Sequence, residues 1–382
     1  PIELGAEFIH GRPREIWNIV NAAPLTAYDC GDTAIRLQDG QIRDEEAWAA
    51  IGRVMADMRL AARQGPDRPF SEFLASTVHT DDAKRWAAGY VEGFNAARQE
   101  IVGIASLAQD AAASDEIDGD RAFRLVNGYR SVPLHLLASV AEPARRLRLN
   151  CIVESIVWKP GAVSVHVRHA LTGNHRTVRS RRAVVTVPLG VLQASNAIHF
   201  EPEPHAAIQA ARRLAVGQVM RVVLRFQEAF WEEIPNLSFA GFLLSDEPVF
   251  PTWWTPLSVR APFITGWSAG PHVDSLLGRP QDYVISQAVD ALIRITRSDP
   301  LRVASLLEAA YFHDWHADPF SLGAYSYTPA HALAARAALA EPISQTLYFA
   351  GEATDTAGHS ATVHGAIASG KRAANQILAA DR

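Results

Sequence analysis

The most informative part of the sequence is Thr346-Leu347-Tyr348-Phe349-Ala350-Gly351-Glu352, which a polar loop over residues 353–360 follows. The apolar run predicts a buried strand that ends at Ala350, and the apolar spacing after the loop predicts a helix over about residues 361–380. This order brings a helix N-terminus to the carboxyl end of a strand, where open α/β sheets bind their ligands. The unpaired N–H groups and positive dipole end of such a helix favour an anionic group. The sequence therefore predicts a ligand-binding corner here.

Helical periodicity is clearest in three other parts of the chain. Large apolar residues recur at helical spacing over residues 44–63, 84–95 and 283–296. Each segment is bounded by polar or turn-forming residues, so each is predicted to be an amphipathic helix with one buried face.

Strand periodicity dominates the middle of the chain. Apolar and polar residues alternate over residues 152–158 and 163–167, and a Pro-Gly turn separates the two segments. We expect a meander of three or four strands that leads into a buried strand over residues 183–187. A further strand is predicted over residues 219–226, with Arg221 on one of its two faces. Strands and helices together predict an α/β fold of mixed α+β character.

Composition restricts the function classes. The 382 residues include 36 Lys and Arg against 41 Asp and Glu, a formal net charge of −5, which argues against nucleic-acid binding. Two cysteines cannot supply a disulfide framework or a four-thiolate metal site, and no metal site is predicted. No apolar run is long enough for a membrane-spanning helix. These observations favour a cytoplasmic location, although Pro1 is not an initiator Met and a signal that precedes it would not be visible.

Four segments carry a resemblance to a known family. The segments are Glu3-Leu4-Gly5-Ala6-Glu7-Phe8-Ile9-His10-Gly11, Val126-Asn127-Gly128-Tyr129, Val185-Thr186-Val187-Pro188-Leu189-Gly190-Val191-Leu192, and Phe349-Ala350-Gly351-Glu352 through Ala361-Thr362-Val363-His364-Gly365-Ala366. In these segments the chain resembles the flavin-dependent amine oxidases, and its motifs are most similar to those of polyamine oxidases and lysine-specific histone demethylases. The resemblance implies a Rossmann-like FAD-binding domain that is interleaved with a substrate domain of mixed sheet and helices.

The sequence departs from the family at its start. In the family, the first segment follows a βαβ unit with a glycine-rich phosphate loop, which needs about 30 residues or more. No such unit precedes Pro1 here, so we expect an FAD-binding domain that is incomplete at its N-terminus. The resemblance implies that this domain takes residues 1–20, 121–195 and 320–382, and that the substrate domain takes residues 21–120 and 196–319.

The resemblance also implies the residues that hold FAD. Glu352 would hydrogen-bond the ribityl–pyrophosphate region, the amides of Thr362 and Val363 would face the pyrimidine ring, and the backbone of Val153 would pair with the adenine. Ala324 stands where monoamine oxidases carry their flavin-linked cysteine, so the FAD is expected to be noncovalent. The remaining expected cofactor contacts are Gly5, Ala6, Glu7, Phe8, Gly351 and Ala366.

Five residues are candidates for the catalytic side of the flavin. By resemblance, Trp315 and Tyr325 form aromatic walls, Thr362 stands where monoamine oxidases place a second tyrosine, and His10 lies near the amine. Arg221 occupies the position of the family lysine that holds a water against the flavin and assists the reaction with oxygen. Arg keeps the charge but is planar and bulkier, so we expect Arg221 to face the flavin and to alter that reaction.

The expected activity is oxidation of a small-molecule amine. A hydride passes from the substrate carbon to flavin N5, the imine is hydrolysed, and O2 is reduced to H2O2. Two alternatives remain at this stage: a flavin-dependent dehydrogenase or desaturase of another substrate, and a non-catalytic remnant that does not hold FAD. The sequence indicates neither the particular amine nor the oligomeric state.

Overall fold

The computed structural model describes residues 1–380, apart from residues 32, 39, 40 and 43. The helices predicted over residues 44–63, 84–95 and 283–296 are confirmed as α2, α4 and α10. No helix in this described part is long and apolar enough to cross a membrane. The helices are α1 (Arg14–Ala22), α2 (Asp44–Gln64), α3 (Phe70–Ala75), α4 (Asp81–Asn95), α5 (Ile104–Glu116), α6 (Ser131–Ala138), α7 (Pro143–Arg146), α8 (Leu189–Gln193), α9 (His205–Arg212), α10 (Gln281–Thr296), α11 (Pro300–Leu306), α12 (Ala334–Ala340) and α13 (Val363–Ala379).

The strands form several separate sheets. Their bounds are β1 (Ile9–His10), β2 (Ala27–Asp29), β3 (Ala34–Gln38), β4 (Gln41–Ile42), β5 (Ala122–Leu125), β6 (Cys151–Lys159), β7 (Ala162–His169), β8 (His175–Ser180), β9 (Ala183–Val185), β10 (His199–Glu201), β11 (Ala215–Val216), β12 (Val219–Phe226), β13 (Phe242–Ser245), β14 (Thr252–Trp254), β15 (Phe263–Ala269), β16 (Leu307–Phe312), β17 (Ser326–Tyr327) and β18 (Leu347–Phe349).

The largest sheet has the strand order β16-β12-β15-β14-β13-β3-β4. Strand β12 lies between two antiparallel neighbours and has the bounds that the alternation predicted. Its residues Met220, Val222 and Leu224 pack in one apolar core with Val284 and Leu292 of α10. Arg221 belongs to the other face, where it is buried as well. A second core under α2 to α5 completes this half of the molecule.

Two smaller sheets correct details of the predicted meander. β6, β7 and β8 are antiparallel neighbours, but the fourth strand of that sheet is β10, which runs parallel to β6. This pairing carries the sheet past residue 195, where the sequence analysis places a domain boundary. β9 leaves the meander and pairs in parallel with β18. The strand predicted over residues 183–187 is present as β9 but is shorter and less buried than expected. It ends at Val185, and Val184 is 41% exposed because it points away from the core that holds Leu347 and Phe349.

The predicted C-terminal corner is present. Strand β18 ends at Phe349, a short 3₁₀ turn covers Glu352–Thr354, and α13 begins at Val363, two residues after the predicted start. The Thr362 hydroxyl accepts a hydrogen bond from the Gly365 amide at 3.0 Å and donates to the His359 carbonyl at 2.6 Å. A Cβ on Gly365 would lie 2.0 Å from the His359 carbonyl oxygen. Glycine is therefore required for the loop to close against the first turn of α13.

We expect Gly365→Ala to destabilise the fold by about 2 kcal/mol, because overpacking against fixed backbone costs about 1–3 kcal/mol. Gly370→Ala is the matched control, since it lies on the same helix and an added Cβ there would have no neighbouring atom within 4 Å. That substitution should stabilise the protein by about 0.5–1 kcal/mol. Urea unfolding measures both, and equal effects of the two substitutions would contradict the role of the tight loop.

Candidate active site

A cavity of about 1590 Å³ lies between the N-terminal segment, the helical layer and the start of α13. We call it the central cavity. All five candidate catalytic residues line it, and so do most of the expected cofactor contacts. Gly351 lies behind the wall and donates its amide to the Ser369 hydroxyl at 2.8 Å, and Val153 lies on β6 away from the cavity. The lining residues from the two predicted sets are Gly5, Ala6, Glu7, Phe8, His10, Arg221, Trp315, Tyr325, Glu352, Thr362, Val363 and Ala366.

A buried carboxylate, Glu7, lies between two arginines under the N-terminal segment. Arg124 Nε donates to Glu7 Oε1 at 2.5 Å, and Arg221 Nη2 donates to Glu7 Oε2. The indole N–H of Trp254 donates to the same Oε2 at 3.1 Å. The side chains of Glu7, Arg124 and Arg221 are at most 9% exposed. We call these three residues the Glu7 ion cluster; its formal charge is positive.

The two arginines of this cluster differ in how fully their side chains are hydrogen-bonded. Desolvation lowers the pKa of Arg221, and the neighbouring Glu7 carboxylate opposes that shift. Arg124 also donates to the carbonyls of Leu257 at 2.9 Å and Thr255 at 3.1 Å, so all three of its side-chain nitrogens donate hydrogen bonds. Arg221 Nε, in contrast, is buried without a hydrogen-bond partner among the described residues.

Sequence reasoning identified Arg221 and Glu7 but missed Arg124 and Trp254. Arg124 precedes the Val126-to-Tyr129 motif by two residues. The signal that could have identified it is a charged residue between the apolar Phe123 and Leu125 on β5. A charged residue between apolar neighbours on a short buried strand usually has a buried partner. Nothing local in the sequence distinguishes Trp254 from the other tryptophans.

The segment from Glu3 to Glu7 is anchored at successive residues. The Trp315 indole donates to the Leu4 carbonyl at 2.8 Å, and Arg221 Nη1 donates to the Gly5 carbonyl at 2.8 Å. The Glu3 carboxylate accepts the Tyr129 amide at 2.6 Å. These bonds fix one wall of the central cavity. Arg221 and Trp315 therefore position the backbone, in addition to lining the cavity.

The start of α13 forms another part of the cavity wall. Within the described residues, no acceptor lies within hydrogen-bond reach of the amides of Thr362, Val363 and His364. These groups carry the positive end of the helix dipole. In the same part of the chain, His364 Nε2 is likewise buried without a partner. Burial lowers the pKa of His364 to about 3 and that of His10 to about 4, so both rings are neutral near pH 7.

Glu352 braces this wall from behind. Its carboxylate accepts the Ser326 amide at 3.0 Å, the Ser326 hydroxyl at 2.7 Å and the Ala361 amide at 2.7 Å. Buried Arg336 donates to the same Ser326 hydroxyl at 2.8 Å. Glu352 therefore ties β17 to the loop before α13, and its predicted contact with a cofactor stays a prediction.

These features fit a planar cofactor whose electron-accepting ring gains negative charge. The free amides of α13 line the cavity, as do Glu7 and Arg221 of the Glu7 ion cluster, and both groups are electropositive. Aromatic side chains supply apolar parts of the cavity wall. Neither Cys30 nor Cys151 lines the cavity. No cluster of described His, Cys, Asp and Glu residues has the arrangement of a metal site.

Comparison with characterised proteins gives sequence relatives of two kinds. The chain is 26% identical over 380 residues to histone demethylase-like protein A of Aspergillus fumigatus, covering 95% of this chain but 32% of that protein. It is 28% identical over 421 residues to polyamine oxidase 4 of Oryza sativa subsp. japonica, covering 98% of this chain and 78% of that protein. The chain thus spans about a third of the length of the first relative.

Solved structures share the fold. Putrescine oxidase bound to putrescine superposes with a TM-score of 0.81 at 15% identity, over 99% of this chain and 88% of that one. Cyclohexylamine oxidase from Brevibacterium oxydans gives a TM-score of 0.79 at 18% identity, over 100% and 89% of the two chains. This likeness establishes the predicted α/β fold. Residues 63–378 match the family profile described as flavin containing amine oxidoreductase, and the chain belongs to that family.

Proposed function

We propose that the protein catalyses the FAD-dependent oxidation of an amine. The observation that supports this most directly is the free N-terminal amides of α13, which border the same central cavity as the anchored segment Gly5–Phe8. An electron-accepting ring that gains negative charge is stabilised by such preorganised donors. Family membership and the polyamine oxidase relatives support the same reaction class.

We assign the cofactor contacts as follows. Thr362 and Val363 would offer their amides to the pyrimidine edge of the ring, and the segment Gly5–Phe8 would lie beside it. Glu352, Gly351 and Ala366 would support the ribityl chain, and Val153 the adenine. Ala324 has no thiol, so the FAD is proposed to be noncovalent. In this proposal residues 1–20, 121–195 and 320–382 form the FAD-binding domain, and residues 21–120 and 196–319 the substrate domain.

The bound flavin would supply the acceptor for the hydride that leaves the carbon beside the amine nitrogen, with O2 reduced to H2O2 and the imine hydrolysed. The protein's part is to hold the amine neutral and in place. The aromatic side chains of Trp315, Tyr325 and Phe8 exclude water, which disfavours the ammonium form of the substrate. His10 is neutral near pH 7 and offers a ring nitrogen as acceptor to the amine N–H.

Arg221 is the feature that favours the second candidate, a flavin-dependent dehydrogenase. Two nitrogens of its guanidinium already donate to Gly5 and Glu7. An arginine engaged in this way is less free than a lysine to hold a water beside the flavin. The second candidate keeps the same cofactor and the same cavity but uses an electron acceptor other than O2.

The first test is to purify the product of the complete gene and record its visible absorption. We expect the two absorption bands of oxidised flavin, release of the flavin on acid or heat denaturation, and peroxide formation when an amine is added. Flavin reduction by an amine without peroxide would favour the dehydrogenase. A colourless protein that does not bind added FAD would contradict both candidates and favour a non-catalytic remnant.

The second test separates the two reactions of the flavin. We expect Arg221→Lys to change the rate constant for reoxidation by O2 on the order of tenfold, equivalent to about 1.4 kcal/mol in the barrier. Anaerobic reduction by the amine should change less. Arg225→Lys is the matched control, because Arg225 lies on the same strand but is exposed and pairs with Glu308 at 3.1 Å. Equal oxygen rates in both variants and the parent, measured by stopped flow, would show that Arg221 acts only on structure.

A further inference from the structure

Six aromatic rings lie in successive contact along the central cavity, and we call them the aromatic wall. Phe8 is 5.9 Å from His10, which is 5.5 Å from Phe94, which stacks on Tyr90 at 5.8 Å with planes 8° apart. On its other side, Phe8 contacts two further rings, Phe242 at 5.8 Å and Trp254 at 5.5 Å. All six residues line the cavity, so the wall presents a largely apolar, aromatic surface to it.

Two hydrogen bonds hold the backbone of the outer part of the aromatic wall. The Tyr325 hydroxyl donates to the Phe94 carbonyl at 2.8 Å, and the Trp267 indole donates to the Gly93 carbonyl at 2.9 Å. Phe94 is nevertheless 54% exposed. A rigidly mounted aromatic ring that borders a cavity and is half exposed is suited to cover an apolar part of a ligand.

The acidic residues around the cavity are mostly neutralised by protein partners. Glu7 belongs to the ion cluster, and the Glu352 carboxylate accepts three hydrogen bonds. Three further acids that line the cavity form salt bridges with arginines, which are Asp115 with Arg59 at 2.6 Å, Asp246 with Arg36 at 3.4 Å and Glu247 with Arg294 at 2.6 Å.

Three other described acids line the cavity. Asp120 is exposed at the rim. Burial raises the pKa of Glu92 and of Asp110 to about 7, so neither is a fully ionised carboxylate at neutral pH. A substrate with several ammonium groups needs a paired carboxylate for each charge that leaves water. The described lining supplies few such groups and much aromatic surface.

We propose that the substrate is a monoamine that carries one bulky aryl or alkyl group, which packs on Tyr90 and Phe94 while the amine lies beside His10. This inference rests on the proposed amine oxidation and specifies its substrate class. Phe94 and Tyr90 are then specificity-determining residues. They contact the apolar body of the substrate and take no part in the chemical step.

Three amines with the same four-carbon chain test this inference on the flavin-loaded protein. They are 4-phenylbutylamine, n-butylamine and putrescine, which end in a phenyl ring, a methyl group and a second ammonium. We expect kcat/KM to be at least about tenfold higher for 4-phenylbutylamine than for putrescine, because apolar pockets discriminate by about 10- to 200-fold per small group. Anaerobic flavin reduction and peroxide formation give the two readouts.

Phe94→Ala should lower kcat/KM for 4-phenylbutylamine about tenfold and should lower kcat/KM for n-butylamine by a smaller factor, because that amine has no phenyl ring to pack on Phe94. Tyr283→Ala on α10, an exposed tyrosine outside the cavity, is the matched control and should change neither. A kcat/KM for putrescine equal to or above that for 4-phenylbutylamine would overturn the substrate class, as would equal losses for both monoamines in Phe94→Ala. No flavin reduction by any of the three amines would contradict the proposed function itself.

Discussion

The central cavity depends on one buried interaction, the pairing of the Glu7 carboxylate with Arg124 and Arg221. It joins three parts of the chain that are distant in sequence, since Arg124 lies on β5 and Arg221 on β12. Removing one partner from a buried ion pair costs about 3–5 kcal/mol, because the remaining charge is left without compensation. The cluster therefore fixes the N-terminal segment to both strands, and with it the wall beside which the cofactor is proposed to lie.

The same interaction sets the electrostatic character of the site. Two guanidinium groups around one carboxylate leave a formal positive charge behind the segment Gly5–Phe8. The free amides at the start of α13 add a positive dipole end to the same cavity. Glu352, which contacts the loop before that helix, has its carboxylate occupied by Ser326 and Ala361. Both features favour negative charge in the cavity, as electron transfer into a bound ring requires.

Local sequence patterns predicted the elements but not their long-range partners. β12 and the strand–loop–helix corner could be predicted because periodicity and turn residues act within a few residues. The parallel pairing of β10 with β6 and the contact of Glu7 with Trp254 depend on residues that are far apart in sequence, and periodicity carries no information about them. Val184 was predicted wrongly because an apolar run shows that a strand is buried on average, without showing which face is covered.

The presence of arginine at position 221 follows from the geometry of its partners. Its planar guanidinium donates from Nη1 to the Gly5 carbonyl and from Nη2 to the Glu7 carboxylate. Each acceptor is thus bound by a different nitrogen of the same guanidinium. A lysine ammonium donates all its hydrogen bonds from one nitrogen and does not match this two-nitrogen geometry. Arginine therefore places a positive charge at this position and attaches it to the N-terminal segment by two hydrogen bonds. Position 221 therefore links the shape of the cavity wall to the charge behind it, and a substitution there acts on both together.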